Sequence, residues 1–292
     1  MQNADYFDEM WGREDSLRGP YKRFQSWFEN EDPARLRSKQ REAKEVFRLT
    51  GITFNVYGRS EAEERLIPFD IVPRIISGHE WQRLSRGIEQ RVQAINAFLH
   101  DIYHRQEILR AGRVPAEMIA QNEAFLPQML GVSPPSGIYT HIVGIDLVRT
   151  GDDEFYVLED NARTPSGVSY METMLGMFPE LFAKTRVRSV SNYPMQLQQS
   201  LAACAPEMAT DPPTVAVLTP GSYNSAYYEH SFLANQMGVE LVEGHDLRVV
   251  DGRVAMRTTQ GYQPIDVLYR RVDGDFLDPL NFNPQSTLGV PG

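Results

Sequence analysis

The chain has 292 residues, of which 41% are hydrophobic and 10% aromatic, enough for a sizeable core and two lobes. A net charge of −10 argues against a nucleic-acid partner, because a phosphate backbone calls for clustered Lys and Arg. No apolar run approaches the roughly 18–20 residues of a membrane span, so no membrane partner is expected.

The first residues, MQNADYFDEMWGRED, are acidic and polar and do not read as a secretory signal. Residues 1–50 read as a charged helical segment. Asp32-Pro33 is a helix start, an N-cap followed by Pro at the first helical position, and Gly51 is a stop. Ile52 to Tyr57 alternates like a strand, Gly58 to Glu64 reads as a loop, and Leu66 to Ile71 reads as a second strand. Ser77-Gly78-His79-Glu80 is a capping box. The helix it opens carries Trp81, Leu84, Ile88, Val92, Ile95, Leu99 and Ile102 at helical spacing, is expected to run to about Leu109, and should bury that stripe as core. His100 and His104 lie four apart on it, but no Glu stands between them in HExxH fashion and no third ligand is evident, so solvated histidines are expected. Pro134-Pro135-Ser136-Gly137 is a turn.

Ile142 to Gly167 carries the most information. Two apolar runs, Ile142 to Val148 and Phe155 to Leu158, flank the turn Thr150-Gly151-Asp152-Asp153-Glu154, which predicts a β-hairpin. An even loop centred on Asp152–Asp153 sets Asp146 opposite Glu159, with Cβ atoms roughly 4.5–5.5 Å apart. Opposed carboxylates repel unless a cation sits between them. Asn161, two residues on, shares the face of Glu159. An odd loop or a bulge would slip this register by one, and surface hairpins often carry acidic residues. The loop that follows, Arg163-Thr164-Pro165-Ser166-Gly167, holds a cation, two hydroxyls and a glycine, donors suited to a phosphate or carboxylate beside a metal.

Met171 to Phe182 reads as a short Met-rich helix, and Leu201 to Cys204 lies on an apolar helical pattern. Cys204 is the only cysteine, which excludes an intramolecular disulfide and makes the cytoplasm the default compartment. Pro206 to Pro213 is linker-like, and a domain boundary is expected near it. Thr214 to Leu218 is a buried-strand run, a helix from about Ser225 to Met237 stops at Gly238, and Val239 to Val242 is a strand, together a right-handed βαβ unit. Arg248 to Arg257 reads as a hairpin turning at Asp251-Gly252, and Ile265 to Arg270 as a further strand. Gly221-Ser222-Tyr223-Asn224-Ser225 lies between a strand and a helix start, where parallel sheets bind ligands, although Ser or Asn there can simply cap the helix. Of Arg270 and Arg271, alternation turns one to the ligand side; Asp273 and Asp275 are nearby acids that could neutralise them, and His230 reads as structural.

Glu159-Asp160-Asn161-Ala162-Arg163-Thr164-Pro165-Ser166-Gly167, preceded by Gly144-Ile145-Asp146, resembles the metal-binding segment of circularly permuted ATP-grasp proteins similar to glutathionylspermidine synthase. Arg65 to Asp70, Pro73 to Ile76, Thr219 to Tyr227 and Tyr269-Arg270-Arg271 extend the resemblance, which runs from about Ile52 to the last residue. It implies an α/β (mixed α+β) circularly permuted ATP-grasp fold, incomplete, with mixed sheets flanked by helices and a βαβ lobe like a substrate domain. It divides the chain into an N-terminal helical segment (1–50), an ATP-grasp part with the metal hairpin (51–205) and an α/β lobe (206–292). It implies ATP and Mg2+ as cofactors, with Asp146, Glu159 and Asn161 as metal ligands and Arg163 steadying charge on the transferring phosphoryl group. Thr164, Ser166, Gly167, Ser222, Tyr223, Asn224, Ser225, Arg270 and Arg271 would serve substrate or phosphate. Lys22, Lys39, Lys44 and Lys184 are the only lysines, and none sits in a glycine-rich loop such as clamps nucleotide in this family. A fragment lacking most of that clamp is therefore expected, weak or inactive by itself and prone to homo-oligomerise.

The activity implied is carboxylate–amine ligation through an acyl phosphate, joining a small or peptide-like acid to an amine. It needs no protein nucleophile, and no Ser/His/Asp or Cys/His arrangement is evident. A non-catalytic binding or scaffold protein and a metal-dependent phosphohydrolase are the alternatives.

Overall fold

The computed structural model describes residues 6–12, 16–55, 64–66, 69–175 and 187–292. In chain order the main helices are α1 (Lys22–Asn30), α2 (Pro33–Thr50), α3 (Gly78–Tyr103), α4 (Glu107–Arg110), α5 (Ala116–Ala120), α6 (Val168–Leu175), α7 (Tyr193–Ala202) and α8 (Tyr227–Met237). The strands are β1 (Thr53–Asn55), β2 (Glu64–Leu66), β3 (Gly144–Arg149), β4 (Phe155–Asn161), β5 (Val215–Leu218), β6 (Glu240–Val242), β7 (Leu247–Val250), β8 (Arg253–Thr258), β9 (Gly261–Pro264) and β10 (Val267–Arg270). They pack as two compact units. One comprises Met1–Lys22 with Arg74–Pro165, the other Arg23–Pro73 with Ser166–Gly292.

In the first unit, residues 6–12 and 16–18 form turns and extended chain, where helix was expected. α3 starts as the capping box requires: the Glu80 N–H donates to Ser77 Oγ at 3.2 Å and the Ser77 N–H to Glu80 Oε2 at 2.8 Å. It ends at Tyr103, six residues before the expected stop. The Asp101 carboxylate accepts the N–H groups of Glu107 and Ile108 at 2.9 Å each, and Gln106 turns left-handed at φ 55°. These acceptors satisfy the first turn of a new helix and so break the old one. The apolar stripe of α3 is less buried than its periodicity suggested. Ile102 is fully buried, Leu84, Ile88, Val92, Ile95 and Leu99 are half-buried, and Trp81 is 41% exposed. The cause is its neighbour: the two-stranded hairpin β3–β4 covers the helix only partly, leaving a groove of about 550 Å3 lined by Leu84, Gly87, Ile88, Leu147, Phe155 and Val157. His104 is half-buried and bound locally, with Nδ1 3.0 Å from His100 O and Nε2 3.1 Å from Ser133 Oγ.

In the second unit, Asp32 caps α2 through the Ala34 N–H (2.8 Å) and Gly51 stops it at φ 69°. β1 and β2 pair antiparallel. The second strand comes earlier than its apolar run: Asp70 Oδ1 accepts the Val72 N–H at 2.9 Å, making a turn of residues expected to extend. Residues 56–63 and 67–68, and the end of the Met171 to Phe182 helix beyond residue 175, lie outside the described residues. The βαβ unit forms as expected, in a parallel sheet of order β10-β5-β6. Every residue of β5 is buried, as a central parallel strand requires. The β7–β8 hairpin turns at Asp251 and Gly252, both at positive φ (52° and 74°), the type I′ signature. β9 adds a third strand to this meander. Ala216, Leu218, Val242, Leu247, Met256, Ile265 and Val272 form the core, against which Leu277, Leu288 and Val290 pack. The Pro206–Pro213 stretch lies inside this unit, between α7 and β5, where Asp266 Oδ2 accepts from Thr210 Oγ1 (2.8 Å) and the Thr214 N–H (2.9 Å). Among the described residues, no helix is long and apolar enough to cross a membrane.

Candidate functional site

The hairpin pairs Asp146 with Glu159 and Gly144 with Asn161, the register read from the sequence, but by a different route. The tip is odd. The Thr150 N–H donates to Glu154 O at 3.1 Å, and Arg149, Val148 and Leu147 face Phe155, Tyr156 and Val157. Continued regularly, that ladder would put Leu158 opposite Asp146. A β-bulge at Leu158, between the Leu147 and Asp146 pairs, takes up the extra residue. Exposure along β4 records it. Phe155, Val157 and Asp160 are half-buried and Tyr156 and Asn161 exposed, yet the adjacent Leu158 and Glu159 are both exposed. Asp146, Glu159 and Asn161 thus share one open face, and Asn161 Nδ2 lies 3.3 Å from Glu159 Oε1.

The tip is anchored by a buried ion network. Arg149 is sandwiched between the rings of Phe7 (5.1 Å) and Phe155 (4.9 Å). It donates to Glu80 Oε1 (2.6 Å), Glu9 Oε2 (3.2 Å), Gly151 O (2.9 Å) and Asp152 O. Arg18 also reaches Glu80 Oε1, at 2.5 Å. Burial pushes the Glu80 carboxyl up, but hydrogen bonds from Ser77 and Arg149 outweigh it and hold the group at about 2.

The Thr164–Gly167 loop is pinned at both ends. A Cβ on Gly144 would lie 2.7 Å from Pro165 Cβ, so Gly144 lets the loop close over β3. Within the second unit, Glu229 Oε2 accepts from the Gly167 N–H (2.7 Å), the Ser169 N–H (3.3 Å) and Ser169 Oγ (2.8 Å). Arg271 donates to Ser166 Oγ (2.8 Å) and Tyr269 Oη (3.1 Å) and lies 3.9 Å from Glu229. Ser166, Gly167 and Arg271 therefore come together, with the chain's own carboxylate on the start of α6. The acid beside Arg271 is Glu229 from α8, which no local pattern flagged. Arg271 is the buried one of the arginine pair, and Arg270 is half-buried and donates to Val272 O at 3.0 Å. Arg163 is exposed and Thr164 half-buried.

In the Gly221–Ser225 loop, Asn224 Oδ1 accepts the Ala226 N–H at 2.9 Å and so forms the turn into α8. Ser222 is exposed, Tyr223 fully so, and Ser225 half-buried. His230 is buried against Thr219 Oγ1 at 2.9 Å, and burial, with Arg271, holds its imidazole down at about 3, neutral as a structural histidine should be.

Residues 73–292 match a family described as a circularly permuted ATP-grasp. The chain belongs to the circularly permuted ATP-grasp family. It is 49% identical over 290 residues to an uncharacterized protein of Mycobacterium tuberculosis, covering 98% of this chain and 52% of that protein. It is 40% identical over 292 residues to a putative glutamate–cysteine ligase of Frankia casuarinae, covering 98% of this chain and 33% of that protein. A solved glutathione synthetase-like effector from Globodera pallida superposes with a TM-score of 0.48 at 14% identity, over 84% of this chain and 59% of that one. The ATP-grasp chain thus spans about half the length of the mycobacterial protein and a third of the Frankia protein.

Among the described residues of this ATP-grasp chain, no cluster of three His, Cys, Asp or Glu side chains is placed to hold a metal ion. The hairpin offers two carboxylates and an amide. That set fits Mg2+, which takes hard oxygen donors and is commonly bound through one or two carboxylates plus substrate phosphates.

Proposed function

We propose that this chain carries the metal-binding part of an ATP- and Mg2+-dependent carboxylate–amine ligase. Asp146 and Glu159 would hold the ion, with Asn161 beside them. The observation that carries this reading is the facing carboxylate pair on an open strand face. Such a pair costs stability unless a cation offsets it. Bound there, Mg2+ would neutralise phosphate charge that otherwise repels an attacking carboxylate.

The chain's own groups do the rest. Arg163, on the loop directly after the ligands, offers a planar fork of donors for a phosphoryl group. The Gly167 N–H donates to Glu229 and is used in ordering the loop, while Ser166 Oγ accepts from Arg271, a bond that does not use its O–H as donor. Thr164, Ser222, Tyr223, Ser225 and Arg270 remain proposed contacts to substrate or phosphate. The putative glutamate–cysteine ligase among the relatives supports an amino-acid or peptide-like acid and an amine as substrates. The glutathionylspermidine synthase-like motif points the same way. One cysteine in the chain keeps the cytoplasm as the proposed compartment.

The test has two parts. Mn2+ binding, followed by the signal of the free ion, should weaken about 10-fold or more in Asp146→Asn and in Glu159→Gln. Glu159→Gln should also raise stability by roughly 0.2–1 kcal/mol as the repulsion goes. ATP incubated with a candidate acid alone should give at most about one equivalent of ADP, as the acyl phosphate forms, and sustained ADP release with an amide detected by mass spectrometry only when an amine is also present. Unchanged Mn2+ binding in both variants would make the acidic face an ordinary surface, and phosphate release without amide would make the protein a phosphohydrolase.

A further inference from the structure

Asp160 stands between Glu159 and Asn161 and is the residue a reader of the sequence would add to the ligand set. It faces the other way. Asp160 pairs with Ile145 on the inner side of the hairpin, where Arg91 of α3 binds it with both prongs, Nε to Oδ1 and Nη2 to Oδ2, each at 2.7 Å. The bulge gives this contact its importance. A second register can be drawn for the inner half of the hairpin. Without the bulge the tip ladder would run on, pairing Leu158 with Asp146, Glu159 with Ile145 and Asp160 with Gly144. That register gains an unbroken ladder and separates the two facing carboxylates. It also turns Glu159 and Asn161 inward and so dismantles the metal face, because a one-residue slip flips every side chain.

We propose that Arg91 and Asp160 are positioning residues that hold β4 in its bulged register, and so keep Asp146, Glu159 and Asn161 on one face. The inference rests on the metal reading of that face and adds the device that builds it. Gly144 lies opposite Asn161, and its missing Cβ makes room there for Pro165. A pair with 45% and 21% side-chain exposure contributes little to global stability. Its effect is local: the bidentate fit of Arg91 is made to Asp160, which stands opposite Ile145 only in the bulged register.

The experiment uses Arg91→Gln, Asp160→Asn and the swapped pair Arg91→Asp with Asp160→Arg. Each protein is read by cross-strand nuclear Overhauser contacts and by Mn2+ titration. In the unmodified chain, residue 146 should show contacts to 159. In Asp160→Asn they should shift to 158, with Mn2+ binding about 10-fold weaker. Arg91→Gln should weaken Mn2+ binding too, and the swapped pair should restore both readouts. If Asp160 were instead a ligand, Arg91→Gln would leave binding unchanged or tighter. That result, or a 146–159 contact that persists in Asp160→Asn, overturns the proposal. Should the unmodified chain bind no Mn2+ at this face, the metal reading fails, yet the contacts to 158 or 159 still decide whether the pair sets the register.

Discussion

Replacing Glu80 with Gln tests the network that anchors the hairpin. Gln keeps the shape and leaves an oxygen for the Ser77 N–H, but removes the charge that faces Arg18 and Arg149. In the folded protein the Glu80 carboxyl sits at about 2 against its usual 4.5. A depressed carboxylate contributes stability above its unfolded value, and that stability is lost as pH falls through the folded value. A gap of about 2.5 units at 1.36 kcal/mol each amounts to about 3 kcal/mol at pH 7, falling to roughly half by pH 3. Urea unfolding of the two proteins side by side at pH 7 and pH 3 measures this difference, and other titrating groups, being common to both, cancel. Glu80→Gln should be about 3 kcal/mol less stable at the higher pH, and the gap should close on acidification. A gap that is the same at both values would show that Glu80 contributes through shape and hydrogen bonding alone, and the charge argument would be refuted.

The other expectations concern the second unit. Glu229→Ala leaves the Gly167 and Ser169 donors and Arg271 in a buried site without their carboxylate, and should cost on the order of 3 kcal/mol in a urea melt, with faster hydrogen exchange at Gly167 and Ser169. Gly244→Ala would bring a Cβ to 2.5 Å from Thr287 O in the returning C-terminal segment, and should cost roughly 1–3 kcal/mol by thermal denaturation. His230, held neutral down to about pH 3, must gain a proton on unfolding below its usual 6.5. The protein should therefore lose stability as pH falls from 6.5 toward 5, and His230→Gln should lessen that slope in melts across the range.

Four helix signals were legible in the sequence because they are local: the starts at Ser77 with Glu80 and Asp32 with Pro33, and the stops at Gly51 and Gly238, act within one turn of the chain, whereas the stop of α3 was missed. The βαβ unit was legible because a central parallel strand is apolar throughout and its helix is bounded by its own signals. The Asp146–Glu159 pairing was read from a rule of even loops, while the true tip is odd and a bulge restores the sum. What a one-dimensional pattern lacks is the partner that selects between two registers, here Arg91, 69 residues from Asp160 in the chain. The same limit hid Glu229, whose neighbours on α8 give no sign that its carboxylate would close on Gly167, 62 residues away. It also made the α3 stripe look like core, since periodicity shows which face is apolar but not how much of it a two-stranded hairpin can cover. The sequence by itself determined the elements and the oxygen donors of the hairpin. The face shared by Asp146, Glu159 and Asn161 was legible too, but the bulge at Leu158 that builds it on an odd tip, and the contact of Asp160 with Arg91, came only from the tertiary structure, because side-chain direction in a strand depends on register and Arg91 lies far away in the chain.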